Sequence, residues 1–128
     1  MTDQQLLEEF ESGTLEPFHH ADHVHVAFAY LNKYPAAEAL ARFSSGLKHF
    51  AVLHGKPNLY HETVTWAYLC LIRQRMADRG PDTWEAFAEA NPDLLLWKDG
   101  ILHRYYRQGT LESARARSMF VFPDKPCG

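Results

Sequence analysis

Cysteine is scarce in this sequence. The chain has two cysteines in 128 residues: Cys70 lies within an apolar run, and Cys127 is the second-last residue. Two cysteines so far apart give neither a disulfide framework nor the paired-cysteine spacing of a zinc motif. Because small proteins of oxidising compartments often depend on several disulfides, we expect a reducing compartment, the cytoplasm.

Long hydrophobic runs are also missing. No apolar run approaches the roughly 20 residues that a helix needs to cross a bilayer. The opening segment MTDQQLLEEF is acidic and lacks the apolar stretch of a secretory signal peptide. We therefore expect neither a membrane span nor a membrane partner.

Basic residues are not in excess. Lys and Arg number 13 against 16 Asp and Glu, which gives a net charge of −3 and argues against a nucleic-acid partner. The charge is uneven, because segment 1–16 has acidic residues but no Lys or Arg, whereas segment 101–128 is mainly basic. Either the two segments attract each other, or the basic segment binds an anion. The charge pattern favours neither alternative.

Strand-like alternation, internal repeats and low-complexity linkers are absent from the sequence. Apolar residues recur instead at helical spacing, as in the stripe formed by Ala36, Leu40, Phe43, Leu47 and Phe50. With 128 residues and 46% hydrophobic content, the chain suits a single core. We predict an all-α fold, one domain over residues 1–128, built as a bundle of four main helices plus short C-terminal helices.

Capping and breaking residues set the expected helix bounds. Residues 2–5 have the pattern of a capping box, and Gly13 ends the first helix. Pro35 stops the second helix after Tyr34 and opens the third. The fourth helix is apolar on nearly all sides, so we expect it at the centre of the bundle. The predicted helices are 2–13, 19–34, 35–54, 61–78, 82–90, 92–97, 101–107 and 110–119, followed by an extended tail over 120–128.

Histidine is abundant beside apolar residues. The segment PFHHADHVHVAFAYL, residues 17–31, holds four of the eight histidines of the chain. A helix turns about 100° per residue, so His20 and His23 share the apolar face with Ala27. His25 lies roughly 160° from His23 and is expected to face solvent, while His19 stays at the start of the helix.

A second group of candidate residues lies further along the chain. His54 continues the apolar stripe of the third helix at the next step of four residues. Tyr60, His61 and Glu62 open the fourth helix, and the first turn of a helix favours a carboxylate. In an up-down bundle, the start of the second helix, the end of the third and the start of the fourth meet at one end. The sequence therefore predicts one cluster of histidines with Glu62.

Imidazoles and a carboxylate together form a ligand set for divalent transition metals. We expect a site for Zn, Fe, Mn or Ni with His20, His23, His54 and Glu62 as ligands, and with Glu62 and His61 as catalytic residues. A metal in such a site activates water or polarises a substrate. Two alternatives stay open: a metal-free catalytic or ligand pocket that uses the titration of histidine, and a hydrogen-bonded network with a structural role.

The basic C-terminal segment supplies a candidate substrate-binding residue, Arg117. It lies four residues after Ser113 on one helical face, and it either pairs with Asp124 or Glu62 or holds an anionic group of a substrate. The ion pair is the favoured interpretation. Tyr60, next to the predicted catalytic residues, is the second candidate for contact with the substrate.

Simpler roles are expected for the remaining histidines and for several large side chains. The expected surface histidines are His19, His25, His49 and His103. Cys70 is expected to be an inert core residue. The tryptophans are expected to anchor the core rather than to bind substrate; they are Trp66, Trp84 and Trp97.

Three motifs run along the chain. They are FxHxxH from Phe18 leading to AxxYL from Ala27, then HG at His54 followed by YHET from Tyr60, and SxxARxxFVxPD from Ser113. Together they resemble a family of small, uncharacterised, helical bacterial proteins, and the resemblance covers most of the chain. It implies no activity. It implies that the family pattern includes His20, His23, His54, His61, Glu62 and Arg117, but neither His19 nor His25.

These patterns lead to three hypotheses about function. The first is a small cytosolic enzyme that acts on a small molecule through a His/Glu metal site between helix ends. The second is a metal-free binding module whose histidines and Arg117 hold a small anionic ligand. The third is an interaction protein whose histidine cluster only specifies helix packing. The expected partner is a small molecule, not nucleic acid or membrane, and the sequence leaves open whether the chain forms a homodimer.

Overall fold

The computed structural model describes residues 1–80, 82–98 and 100–125. These residues form α-helices and short 3-10 turns and no strand, so the predicted all-α class is confirmed. No described helix is both long enough and apolar enough to pass through a membrane. The α-helices are α1 (Asp3–Ser12), α2 (His20–Lys33), α3 (Ala36–Leu53), α4 (Glu62–Arg79), α5 (Trp84–Ala90), α6 (Gln108–Leu111) and α7 (Ala114–Ser118); the 3-10 turns are Pro57–Leu59, Pro92–Leu95 and Ile101–Arg104.

The ends of the main helices follow the local signals in the sequence. The Thr2 hydroxyl accepts the backbone N–H of Gln5 at 3.1 Å, and the Gln5 side chain accepts the N–H of Thr2 at 2.8 Å, so the capping box is confirmed. Gly13 ends α1 with a φ of 77°, a left-handed conformation that suits glycine. Tyr34 is extended before Pro35, which separates α2 from α3.

The helix at the centre of the fold is α2, not α4 as the sequence suggested. Val26 to Leu31 form an unbroken run of buried residues, because α2 packs against α1, α3, α4 and α5. In α4 the buried side follows Thr65, Leu69 and Ile72, while Cys70 is exposed on its outer side. The expectation that Cys70 is a core residue is therefore wrong. An apolar sequence all round indicated burial but did not indicate which neighbours cover each face.

The C-terminal segment is more broken than its periodicity suggested. The predicted helix over 110–119 is divided between α6 and α7, because the Ser113 hydroxyl accepts the N–H of Ala116 and starts a new helix. The predicted tail does pack against the core. Phe120 stacks on Trp66 with 5.1 Å between ring centroids, and the Thr63 hydroxyl binds the backbone on either side of Phe120. Residues 126–128 of that predicted tail, including Cys127, lie outside the described residues.

Candidate functional site

A cavity of about 840 Å³ lies between α2, α3 and α4. His20, His23, His54 and His61 all line it, so the structure brings together the four histidines that the sequence placed in one cluster. We call this space the histidine cavity. It is bordered by the connector before α2, the chain between α3 and α4, and the segment after the Pro92–Leu95 turn.

The walls of the histidine cavity are mostly apolar. The aliphatic and aromatic side chains that line it include Phe18, Val24, Ala27, Phe43, Leu47, Phe50, Leu59, Val64, Ile72 and Leu95. Among the described residues, no Asp or Glu lines the cavity, and Lys56, which is exposed, is the only Lys or Arg. The interior therefore offers ring nitrogens and hydroxyl groups as its polar contacts, with no permanent charge opposite them.

His20 is fixed in one tautomer by the backbone. Its Nε2 lies 2.9 Å from the carbonyl oxygen of Leu94, and because a carbonyl only accepts, Nε2 carries the hydrogen. Nδ1 of the neutral ring is therefore an acceptor. The ring meets Tyr68 edge-on at 4.8 Å between centroids. Burial lowers the pKa of His20, and the hydrogen bond to Leu94 opposes this effect only in part.

His23 is the most deeply buried of the four imidazoles. Its ring stacks on Phe18 with centroids 4.0 Å apart and planes 14° from parallel. Burial first, and then the neighbouring His20, lower the pKa of His23 to about 4, against the opposing charge of Asp22. His23 is consequently a neutral imidazole at neutral pH.

His54 lies at the C-terminal end of α3 and borders the cavity. Its Nε2 donates to the carbonyl oxygen of Gly13 at 2.9 Å, and its ring stacks on Phe50 at 4.3 Å. The side chain is exposed rather than buried, which differs from the expectation that His54 ends the buried stripe. The stripe leaves the core here because α3 ends at Leu53 and the chain turns away.

His61 uses both ring nitrogens within the fold. As the cap residue of α4 it accepts the N–H of Val64 through Nδ1 at 3.2 Å, and its Nε2 donates to the Leu111 carbonyl at 2.6 Å. Protonation would turn Nδ1 into a donor and break the cap; burial lowers the pKa of His61. Neither nitrogen is free to exchange a proton with a bound molecule, which leaves the predicted catalytic role of His61 without support from the geometry.

The other predicted site residues lie beside the cavity or outside it. Tyr60 lines the cavity, and its hydroxyl donates to the carboxylate of Glu62. Burial, and after it this hydrogen bond, raises the pKa of Tyr60. Glu62 itself does not line the cavity. Arg117 is exposed and donates to the Asn58 carbonyl at 2.8 Å. The favoured ion pair of Arg117 with Asp124 or Glu62 is wrong, because Asp124 accepts the backbone N–H of Arg107 and Glu62 accepts the Tyr60 hydroxyl.

Trp97, which lines the cavity, and His25, which does not, differ from their expected roles. Trp97, expected in the core, is 62% exposed and lines the histidine cavity, with its ring 5.3 Å from that of His20. His25, expected to face solvent, is half-buried, because it stacks on Trp84 at 4.3 Å and contacts Asp3 at 3.2 Å. The sequence offered one signal for the exposed Trp97: it ends the apolar run LLLW over 94–97, and an apolar run of this kind can leave a large side chain on the surface near a site.

A smaller cavity lies on the other side of one wall of the histidine cavity. It measures about 440 Å³, and the two spaces share His61, Val64, Tyr68 and Trp97. Arg117 lines this smaller space and not the histidine cavity. The predicted substrate contacts, Tyr60 and Arg117, are therefore on different cavities.

The predicted metal ligands do not converge on a single point. Within residues 1–80, 82–98 and 100–125, no three side chains of His, Cys, Asp or Glu are arranged to hold one metal ion. Glu62 is bound to Tyr60, and His54 points its Nε2 at Gly13. A metal at this site stays a prediction.

Comparison with known proteins adds no identification. No protein-family model, curated protein or solved structure matches the chain. The family resemblance suggested by the three motifs therefore also stays a prediction, and function has to be argued from the cavity itself.

Proposed function

We propose that this protein binds a small, largely apolar molecule in the histidine cavity, without a metal ion. The observation that supports the proposal is a cavity of about 840 Å³ with mostly apolar walls, lined by the half-buried, neutral imidazoles of His20 and His23. Pockets for small molecules typically measure about 300–1,000 Å³ and combine apolar walls with a few placed polar groups.

The histidine cavity opens to solvent, and its walls are packed side chains. Protein interiors are packed about as densely as organic crystals, and such packing holds these walls in place. Phe43 and Phe50 border the cavity and pack on Phe10 in the core. Phe50 also stacks on His54, and Phe18 stacks on His23, so the rings form the walls.

The test is isothermal titration calorimetry with 2-methoxynaphthalene, an apolar probe with no hydrogen-bond donor. We expect saturable binding at one probe per chain. Ala51 lines the cavity on α3, so Ala51→Leu should occupy part of the space and weaken binding about tenfold or more. Ala41, exposed on the same helix, provides the matched control, and Ala41→Leu should bind as the wild type does. Equal losses in both variants would refute the proposal, and so would the absence of saturable binding both of this probe and of its hydroxyl analogue 2-naphthol.

A metal site is the second candidate. One observation favours it: His20 and His54 each donate Nε2–H to a backbone carbonyl, which leaves the lone pair of Nδ1 in each ring to bind a metal ion. Metal-binding histidines typically bind a carbonyl or carboxylate through the other nitrogen in this way. With His23 as a third ligand, and with the three rings closer together than they lie in this structure, such a site would hold Zn, Fe, Mn or Ni and keep a position open for water or substrate.

Elemental analysis of protein purified without a histidine tag tests the metal candidate. Transition metal near one equivalent, lost in His23→Ala and kept in the matched variant His25→Ala, would support it. Less than about a tenth of an equivalent, with no uptake on titration with Zn, Fe, Mn or Ni, would exclude it.

Two further parts of the proposal concern the setting of the cavity. We interpret α1 to α4 as a four-helix bundle, since α2 packs on each of the other three and the cavity opens among the ends of α2, α3 and α4. We also propose that the protein acts in the cytoplasm, which suits an exposed thiol at Cys70.

A further inference from the structure

We propose that the molecule bound in the histidine cavity is neutral and aromatic and that it donates one O–H or N–H hydrogen bond to Nδ1 of His20. This inference rests on the proposed function and adds to it the chemical class of the ligand. It makes His20 a residue that determines specificity.

The first step is the state of His20. Its Nε2–H is committed to the Leu94 carbonyl, so the neutral ring has one acceptor left, Nδ1. Nδ1 of His20 has no hydrogen-bond partner among the described residues. In the same part of the chain, every side-chain nitrogen or oxygen that is fully buried does have a hydrogen-bond partner. Nδ1 therefore keeps open surface, and the ring to which it belongs lines the cavity.

The second step concerns charge. A cationic ligand would need a carboxylate, and no Asp or Glu of the described residues lines the cavity. An anionic ligand would need a cation, and Lys56 lies exposed at the border while Arg117 lines the other cavity. A charged group placed against the inner wall beside His20 would have no charged partner there, so this part of the cavity favours a neutral group.

The third step concerns shape. Aromatic rings face the cavity from several sides: Phe18 and Phe50 from one side, and Tyr68 and Trp97 from the side of His20. Flat apolar surfaces of this kind pack well against another ring, with offset or edge-on geometry. A planar molecule places its ring between these walls and its donor group at Nδ1 of His20.

Three naphthalene probes with one common ring system test the inference by calorimetry at neutral pH. They are 2-naphthol, which is neutral and a donor; 2-methoxynaphthalene, which is neutral and lacks a donor; and 2-naphthoate, which is an anion. We expect 2-naphthol to bind about tenfold tighter than either of the others, the effect of one buried hydrogen bond.

Two substitutions of His20 distinguish the roles of its two ring nitrogens. An Asn side chain places its carbonyl oxygen near the position of Nδ1, whereas a Gln side chain reaches with its amide to the position of Nε2. His20→Asn should therefore keep the preference for 2-naphthol. His20→Gln keeps the donor to Leu94 and should lose the preference, so that 2-naphthol binds no better than 2-methoxynaphthalene. Circular dichroism of both variants checks that they fold.

The outcomes are distinct. Equal binding of 2-naphthol and 2-methoxynaphthalene by the wild type would overturn the inference but leave the proposed function standing. Tighter binding of 2-naphthoate would also overturn it and would favour an anionic ligand. An unchanged preference in His20→Gln would remove His20 as the acceptor. Failure of all three probes to bind would overturn the inference and the proposed function together.

Discussion

The acid sensitivity of the fold should depend on His23. Its pKa is about 4 in the folded protein, compared with 6.5 for an unperturbed histidine. Because the folded value is the lower one, the unfolded chain takes up this proton first as the pH falls. His23 therefore adds stability that is fully present above pH 6.5 and is lost as the pH falls from 6.5 toward about 4.

The size of this effect follows from the two values. A drop from 6.5 to about 4 corresponds to about 3 kcal/mol of the free energy of unfolding. The physical cause is burial against Phe18, with the neighbouring His20 adding to it and Asp22 reducing it. Burial also lowers the pKa of His20 and His61, so the whole protein should lose more than His23 alone accounts for.

The measurement is urea denaturation followed by circular dichroism at pH 6.5 and near pH 4, for the wild type, His23→Gln and His49→Gln. The Gln side chain does not titrate, so any constant cost of His23→Gln cancels when each variant is compared with itself at the two pH values. We expect His23→Gln to lose about 3 kcal/mol less than the wild type over this interval. His49, exposed on α3, is the matched control and should lose as much as the wild type. A loss in His23→Gln equal to that of the wild type would refute the assignment of His23 as a buried neutral imidazole.

Three substitutions test other contacts that hold the site. His61→Ala removes the cap of α4 and the bond to the Leu111 carbonyl, and urea denaturation should give a loss of about 2 kcal/mol. Gly46→Ala places a methyl group against the ring of Phe10 and should cost about 1–3 kcal/mol, measured in the same way. Arg75→Ala removes a two-point contact with Asp93, in the turn that carries the Leu94 carbonyl; it should cost about 1 kcal/mol and should weaken binding of 2-methoxynaphthalene.

Each of these substitutions has a control elsewhere in the chain. His49→Ala removes an exposed histidine, and Arg73→Ala removes an exposed arginine from the helix of Arg75. At Gly109 an added methyl group would meet nothing within 4 Å, so Gly109→Ala should leave stability unchanged or slightly raised. A control as destabilised as its partner would mean that the effect is not due to the contacts named here.

The helix bounds were largely predictable because their causes are local. The capping box at Thr2 and Gln5, the left-handed Gly13 and the break at Pro35 each depend on residues within one helical turn. The placement of α2 at the centre was not predictable in this way. It depends on which helices cover it, and the apolar run over 64–72 in α4 indicated a central helix without indicating which neighbours cover each face.

The candidate site likewise has features that follow from local sequence and features that depend on distant residues. The inward direction of His20 and His23 follows from helical spacing, and the structure has both lining the cavity. The tautomers do not follow from spacing, because each depends on a carbonyl far away in the sequence: Leu94 for His20, Gly13 for His54 and Leu111 for His61.

These distant carbonyls change what the histidine cluster can do. A histidine with two free nitrogens can carry a proton or bind a metal, and the sequence motif alone does not distinguish these roles. The bond to Leu94 leaves His20 one acceptor, and the two bonds of His61 leave it none. The four imidazoles are therefore not equivalent: His61 holds α4 to the C-terminal segment, and His20 and His23 remain to meet a bound molecule. The tautomer of His20 consequently depends on the turn at Pro92–Leu95, for which the sequence pattern predicted only a short helix after the four main ones.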